Sequence, residues 1–239
     1  MKLLAMDSSG LVASAAIIED EIMRAEYTVN YKKTHSQTLL PMIDEIVKMT
    51  ETDLNEVDAI AVAGGPGSFT GLRIGSATAK GLGLALDKPI ISVPTVLGLA
   101  YNYFGYPQPV CPIMDARRGQ VYTGIYCFRD GKRMTYLEQC AISLQELLAT
   151  IEEMVSAGTM SENIVFLGDG VPVHRKCIDE QLHVPHTFAP PHLNGQRAGA
   201  LGVCAMQLAK EGKTETAAEH HPDYLRLSQA ERERAERNL

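Results

Sequence analysis

The densest run of residues able to do chemistry is Ala63-Gly64-Gly65-Pro66-Gly67-Ser68-Phe69-Thr70-Gly71-Leu72-Arg73-Ile74-Gly75. A glycine-rich loop between a strand and a helix can turn backbone N–H groups toward a phosphate at the helix N-terminus. The run matches neither GxGxxG nor GxxxxGK[ST], so tight-turn geometry is the favoured reading of its glycines and phosphate binding the alternative. Asp7 and Asp115 each follow an apolar run and open a turn, Asp7-Ser8-Ser9-Gly10 and Asp115-Ala116-Arg117-Arg118-Gly119. Such aspartates hold a metal-bound water or sit near phosphate, or else accept backbone amides in Asx-turns. Asp7, Ser8, Ser9 and Asp115 are therefore the candidate cofactor-binding residues. The seven histidines form no HExxH or HxxxH pair, and no GxSxG elbow is present. No catalytic residue and no metal site is expected.

These residues need elements to position them. Apolar runs at 2–6, 11–18 and 23–29 read as a three-strand meander. Ser36 caps a helix to Met49 whose apolar stripe is Leu39, Leu40, Ile43, Ile46 and Val47. A strand at 57–63 leads through the glycine loop into a helix from Phe69 to Leu86. A strand at 89–93 and a helix from Thr95 to Phe104 follow. After the linker Tyr106-Pro107-Gln108-Pro109, strands at 110–114, 120–128 and 134–141 repeat the pattern. A helix capped by Ser143 then runs to Ser156, a strand occupies 164–167, and a helix spans 172–182. Residues 185–191 are Pro-rich and irregular, 195–210 form a last helix, and the tail is polar. Strand–Asp turn–strand recurs at residues 3 and 110, so the chain reads as α/β with mixed sheets in two similarly built halves.

In the 69–86 helix, Gly71, Gly75, Ala79 and Gly83 recur every four residues and form a face poor in side chains. Each interior glycine costs about 0.5–1 kcal/mol relative to alanine, so close backbone approach matters there. What approaches is either the protein's own sheet or a partner helix.

The chain has 239 residues, 45% of them apolar, with 22 basic and 29 acidic side chains and a net charge of −7. It is long enough to bury a core without staples. The charge disfavours a protein that grips nucleic acid alone. Five cysteines with no CxxC pair suit reduced thiols. No apolar run reaches the roughly 18 residues of a membrane span, and a cytoplasmic protein is expected.

The segments His35-Ser36-Gln37-Thr38-Leu39-Leu40-Pro41, Asp58 to Val93, Asp115 to Tyr122 and Pro222-Asp223-Tyr224-Leu225-Arg226 resemble the TsaB (YeaZ) family of bacterial threonylcarbamoyladenosine biosynthesis proteins. The resemblance implies the actin-like, sugar-kinase and Hsp70-like ATPase fold with duplicated halves. These would be 1–105 and 106–192, with the 195–212 helix packing near the first half and a polar tail at 220–239. With only Leu225, Leu227 and Leu239 to bury, the tail after Leu227 is expected to be mobile or ordered only by a neighbour.

It further implies a non-catalytic partner of TsaD, the paralogue that transfers a threonylcarbamoyl group to adenosine 37 of tRNAs reading ANN codons. The places of TsaD's metal-holding HxxxH fall on Thr95 and Leu99 here, so no bound Zn or Fe is expected. The implied partners are TsaD, the ATPase TsaE and a second copy when alone, with tRNA met only through the complex. No cofactor would be intrinsic, and ATP would be used by the complex. The expected interface residues are Leu39, Ile43, Ile46, Gly71, Gly75, Ala79 and Gly83. An autonomous ATP-dependent kinase of this fold and a metalloprotease-like hydrolase are the alternatives.

Overall fold

The computed structural model describes residues 1–31 and 34–225. Its first sheet contains β1 (Lys2–Asp7), β2 (Val12–Glu19), β3 (Ile22–Asn30), β4 (Ala59–Gly65) and β5 (Ile90–Pro94) in the order β3-β2-β1-β4-β5. The second contains β6 (Val110–Asp115), β7 (Gln120–Arg129), β8 (Lys132–Ser143), β9 (Ile164–Leu167) and β10 (His186–Phe188) in the order β10-β9-β6-β7-β8. Read from its other edge, the second order repeats the first. In both, an antiparallel meander of three strands continues into two parallel ones. This is the duplicated two-half architecture that the family resemblance implies.

Period-two alternation in the strands builds three cores. Leu3 and Ala5 of β1 face inward, while Leu4 and Met6 face outward. Val110 and Met114 of β6 likewise face inward, and Cys111 and Ile113 outward. Helices α1 (His35–Met49) and α2 (Phe69–Leu86) cover the outer face of the first sheet. Helices α4 (Leu144–Ser156) and α5 (Val171–Gln181) cover that of the second. Between the sheets lie α3 (Thr95–Ala100) and α7 (Ala198–Lys210), with the short α6 (Pro191–Asn194) before α7. Helix α7 packs back on β1 and β2, whereas α3 reaches β6 and β7. Gly202 permits the first approach, because a Cβ there would meet the Ile18 side chain.

Local expectations hold closely where cap chemistry is strong. Ser143 and Glu146 close a reciprocal capping box at the start of α4. Three expectations need correction. Helix α1 begins after Thr34, not Ser36, and lacks a side-chain cap; the His35 ring instead bonds the Gly10 carbonyl oxygen at 2.8 Å. Thr95 opens α3 without capping it, since its hydroxyl accepts the Gly65 amide at 3.1 Å. Residues 185–191 are not wholly irregular, because β10 pairs parallel to β9 through three residues. The expectation for the tail beyond Leu227 lies outside the described residues.

Candidate functional site

A cleft of about 480 Å³ separates the two halves at the ends of β1 and β6. The β1–β2 turn, the glycine loop and first turn of α2, the β6–β7 turn, His35 and Asp169 line it. The candidates Ser9 and Asp115 are thus brought to one place, with Asp7 and Ser8 just behind Ser9. Asp7 is buried, and its Oδ1 accepts both the Ser9 amide at 2.8 Å and the Ser9 hydroxyl at 2.6 Å. Burial pushes its carboxyl up to about 6, against the opposing pull of the two Ser9 bonds. Asp115 Oδ1 accepts the Arg117 amide at 2.8 Å. Both aspartates therefore make the Asx-turn, the structural one of the two roles open to them.

Sequence reading missed Asp169 as a contributor. It lies in the Gly168-Asp169-Gly170 turn after β9, the counterpart of the loop after β4. Its Oδ1 accepts the Asp115 amide at 3.2 Å, and burial raises its carboxyl above the usual range. The only signal was a Gly-Asp-Gly turn after a buried strand.

The glycine loop is filled from within. The Ser68 amide donates to the Ser9 carbonyl oxygen at 2.7 Å. The Ser8 hydroxyl donates to the Gly71 carbonyl oxygen at 2.8 Å. A Cβ at Gly67 would strike the Ser9 carbonyl, and one at Gly71 the Ser8 carbonyl. The glycines let the β1–β2 turn press its carbonyl oxygens against the start of α2. Carbonyl oxygens repel a phosphate, so this part of the loop is no anion cradle.

The same contacts correct the expected interface. A Cβ on Gly75 would reach Ser8 Oγ at 2.7 Å, and one on Gly83 would reach Ala217 Cβ at 3.1 Å. Ala79, Leu39, Ile43 and Ile46 are buried in the outer core of the first sheet. All seven residues face this chain, because the close approach they allow is used by its own turn, sheet and C-terminal segment. Along α2 the solvent side carries Arg73, Ala77, Gly81 and Leu84 instead.

Residues 215–225 form a strap beside α2. Glu215 bridges Ile90 at the C-terminal end of the helix, and Lys80 Nζ donates to the His220 carbonyl oxygen at 2.7 Å. The Asp223 amide donates to the Gly64 carbonyl oxygen at 2.7 Å. The Tyr224 ring packs on Phe69, 4.9 Å between centroids, while the Arg73 guanidinium covers the Phe69 ring at 3.9 Å. Two motifs about 150 residues apart in the chain are one structural unit.

Thr95 and Leu99 hold no metal-ligating pair. Thr95 is committed to Gly65, and Leu99 is buried in the central core. Among the described residues, no group of three or more His, Cys, Asp or Glu side chains could hold a metal ion. No helix among them is long and apolar enough to cross a membrane.

Comparison with known proteins agrees with this architecture. A family model described as TsaD, tRNA N6-adenosine threonylcarbamoyltransferase, matches residues 23–234. The tRNA threonylcarbamoyladenosine biosynthesis protein TsaB of Bacillus subtilis is 34% identical over 234 residues, covering 97% of this chain and 96% of that protein. The TsaB of Escherichia coli is 35% identical over 128 residues, 53% of this chain and 55% of its own. A Pseudomonas aeruginosa structure described as similar to peptidase YeaZ superposes with a TM-score of 0.78 at 25% identity, covering 94% of this chain and 99% of the other. A near-full-length match at that identity, joined to the same duplicated fold, places the chain in the TsaB family of tRNA threonylcarbamoyladenosine biosynthesis proteins.

Proposed function

We propose that the chain is a non-catalytic partner subunit for the threonylcarbamoyltransferase TsaD, and that the partner docks on the solvent side of α1 and α2. The observation that carries this reading is the division of α2 into two small-residue faces. The inner one is occupied by the chain's own Ser8, Val62 and Ala217. The outer one has Ala77 exposed and open space around any Cβ on Gly81. Leu84 beside it and Leu40 on α1 are large apolar side chains in solvent, 68% and 53% exposed. Small residues flanked by exposed leucines suit close packing against another helix pair.

The cleft supports a non-catalytic role. Its aspartates are engaged in turns, and its glycine loop is filled by carbonyl oxygens. ATP is then consumed elsewhere in the complex, with TsaE as the further partner. A second copy of this chain covers the same face when TsaD is absent, tRNA is met only through the complex, and the setting is the cytoplasm.

The test is titration of this chain with purified TsaD from the same organism, followed by tRNA modification with and without the chain. Gly81→Leu is expected to abolish both binding and stimulation. Full tRNA modification by TsaD and TsaE without this chain, or undiminished binding by Gly81→Leu, overturns the reading.

A further inference from the structure

The second half has no role in the docking just described, yet one of its side chains reaches the loop that launches α2. Register along β7 and β8 pairs Thr123 with Cys140 and Ile125 with Leu137. One residue of β7, Gly124, therefore stands opposite two of β8, Glu138 and Gln139. This is a β-bulge, and bulges re-aim side chains. Gly124 sits where a Cβ would meet the Tyr126 ring.

Gln139 leaves its sheet and bridges into the first half. Its Nε2 donates to the Gly65 carbonyl oxygen at 3.1 Å, and its Oε1 accepts the Val96 amide at 3.1 Å. The Gly65 amide is held by Thr95, and the neighbouring Gly64 carbonyl oxygen by the Asp223 amide. Three segments thus converge on Gly64-Gly65 at the end of β4: the start of α3, the bulge of β8 and the C-terminal strap. Gly65 has φ of 125°, and the Asp223 carbonyl lies where its Cβ would be, so no other residue fits there. Helix α2 begins at Phe69, a few residues downstream.

We propose that Gln139 is a positioning residue for the partner face: by bonding Gly65 and Val96 across the two halves, it fixes the loop from which α2 starts. The second half then acts on docking through one side chain. This rests on the reading that α2 carries the partner face.

Gln139→Met keeps the side-chain length and loses both hydrogen bonds. Gln139→Glu keeps an acceptor for Val96 and loses the donor to Gly65. Amide exchange in the free chain tests the positioning directly. Both variants are expected to exchange faster at the first turn of α2, around Leu72 and Arg73, by about fivefold, as loss of one net hydrogen bond implies. Val96 should lose protection only in Gln139→Met, and the Leu147–Ile151 stretch of α4 should match the wild type in both. Affinity for TsaD should fall about fivefold or more in both variants, whatever their thermal midpoints.

Unchanged exchange at Leu72 and Arg73 overturns the inference whether or not TsaD binds. So does wild-type affinity in Gln139→Met when Gly81→Leu abolishes binding in parallel. If Gly81→Leu binds normally, it is the docking reading that fails, and the exchange data still decide the role of Gln139.

Discussion

Asp7 and Asp115 hold the same place in the two halves: each ends the first strand of its sheet, and each Oδ1 accepts the amide two residues on, both at 2.8 Å. Their surroundings differ. Asp7 is buried beneath the glycine loop, whereas Asp115 stands at the rim beside the Arg117 guanidinium, 3.7 Å away. The duplicated turn is used once as a buried strut and once as a surface one.

The buried strut makes stability depend on pH. Asp7 titrates near 6 in the folded chain and near 3.8 when free. Between those values the folded state holds a proton that the unfolded state has lost. The contribution of Asp7 therefore falls as pH rises through the window, by about 3 kcal/mol in all. Asp7→Asn keeps an acceptor for Ser9 and removes the titration. Urea unfolding at pH 4 and pH 7.5 should show the variant gaining on the wild type at the higher pH; a constant difference would count against a buried, titrating Asp7.

Two leucine substitutions on one helix should behave oppositely. Gly75→Leu drives a side chain into Ser8 and Val62, an overpacking that costs about 1–3 kcal/mol. Gly81→Leu meets open space and gains up to about 1 kcal/mol from helix propensity. Thermal midpoints should fall for the first and hold or rise for the second. Only the second separates stability from TsaD binding.

Tyr224→Ala should loosen the strap. It removes the ring packed on Phe69 and the hydroxyl 3.4 Å from Arg73 Nε. The aromatic pair is worth about 0.5–1.5 kcal/mol beyond its buried area. Faster exchange of the Asp223 amide, with a modest drop in midpoint, is the expected result. Full protection at Asp223 would show that the backbone bond to Gly64 holds the strap without the ring.

Ser143→Ala tests the capping box of α4. Its loss should cost about 1 kcal/mol, read as a lower urea midpoint at unchanged slope. The Glu146 carboxyl, held below its usual range by the Ser143 amide and hydroxyl, should move back toward that range.

What could be read from the chain alone follows the range of the forces involved. Helix α2 runs from Phe69 to Leu86 and α4 from Leu144 to Ser156, the bounds expected from local patterning. The β-strands of the meanders were legible because alternation and turn residues are also local. The identity of what lies against Gly71, Gly75 and Gly83 was not, since a small-residue face reports close approach and not the approaching group. Asp169 escaped notice because it meets Asp115 only through the parallel pairing of β6 and β9. Gln139 depends on a bulge opposite Gly124, and no sequence pattern marks which residue a bulge turns outward. The three residues of β10 are too few to show any period.

The exchange of inner helices between the halves has a consequence for synthesis. The inner face of the first sheet is covered by α7, which ends at Lys210, and α3 lies against strands made after it. A growing chain therefore carries Ala5, Ala16 and Ile18 uncovered until synthesis has passed Lys210 and α7 has left the ribosome. Domains usually close in the order they are made; here the first half must wait for the last helix. A nascent chain stalled before Ala198 would present that apolar face to chaperones, and release of α7 would withdraw it.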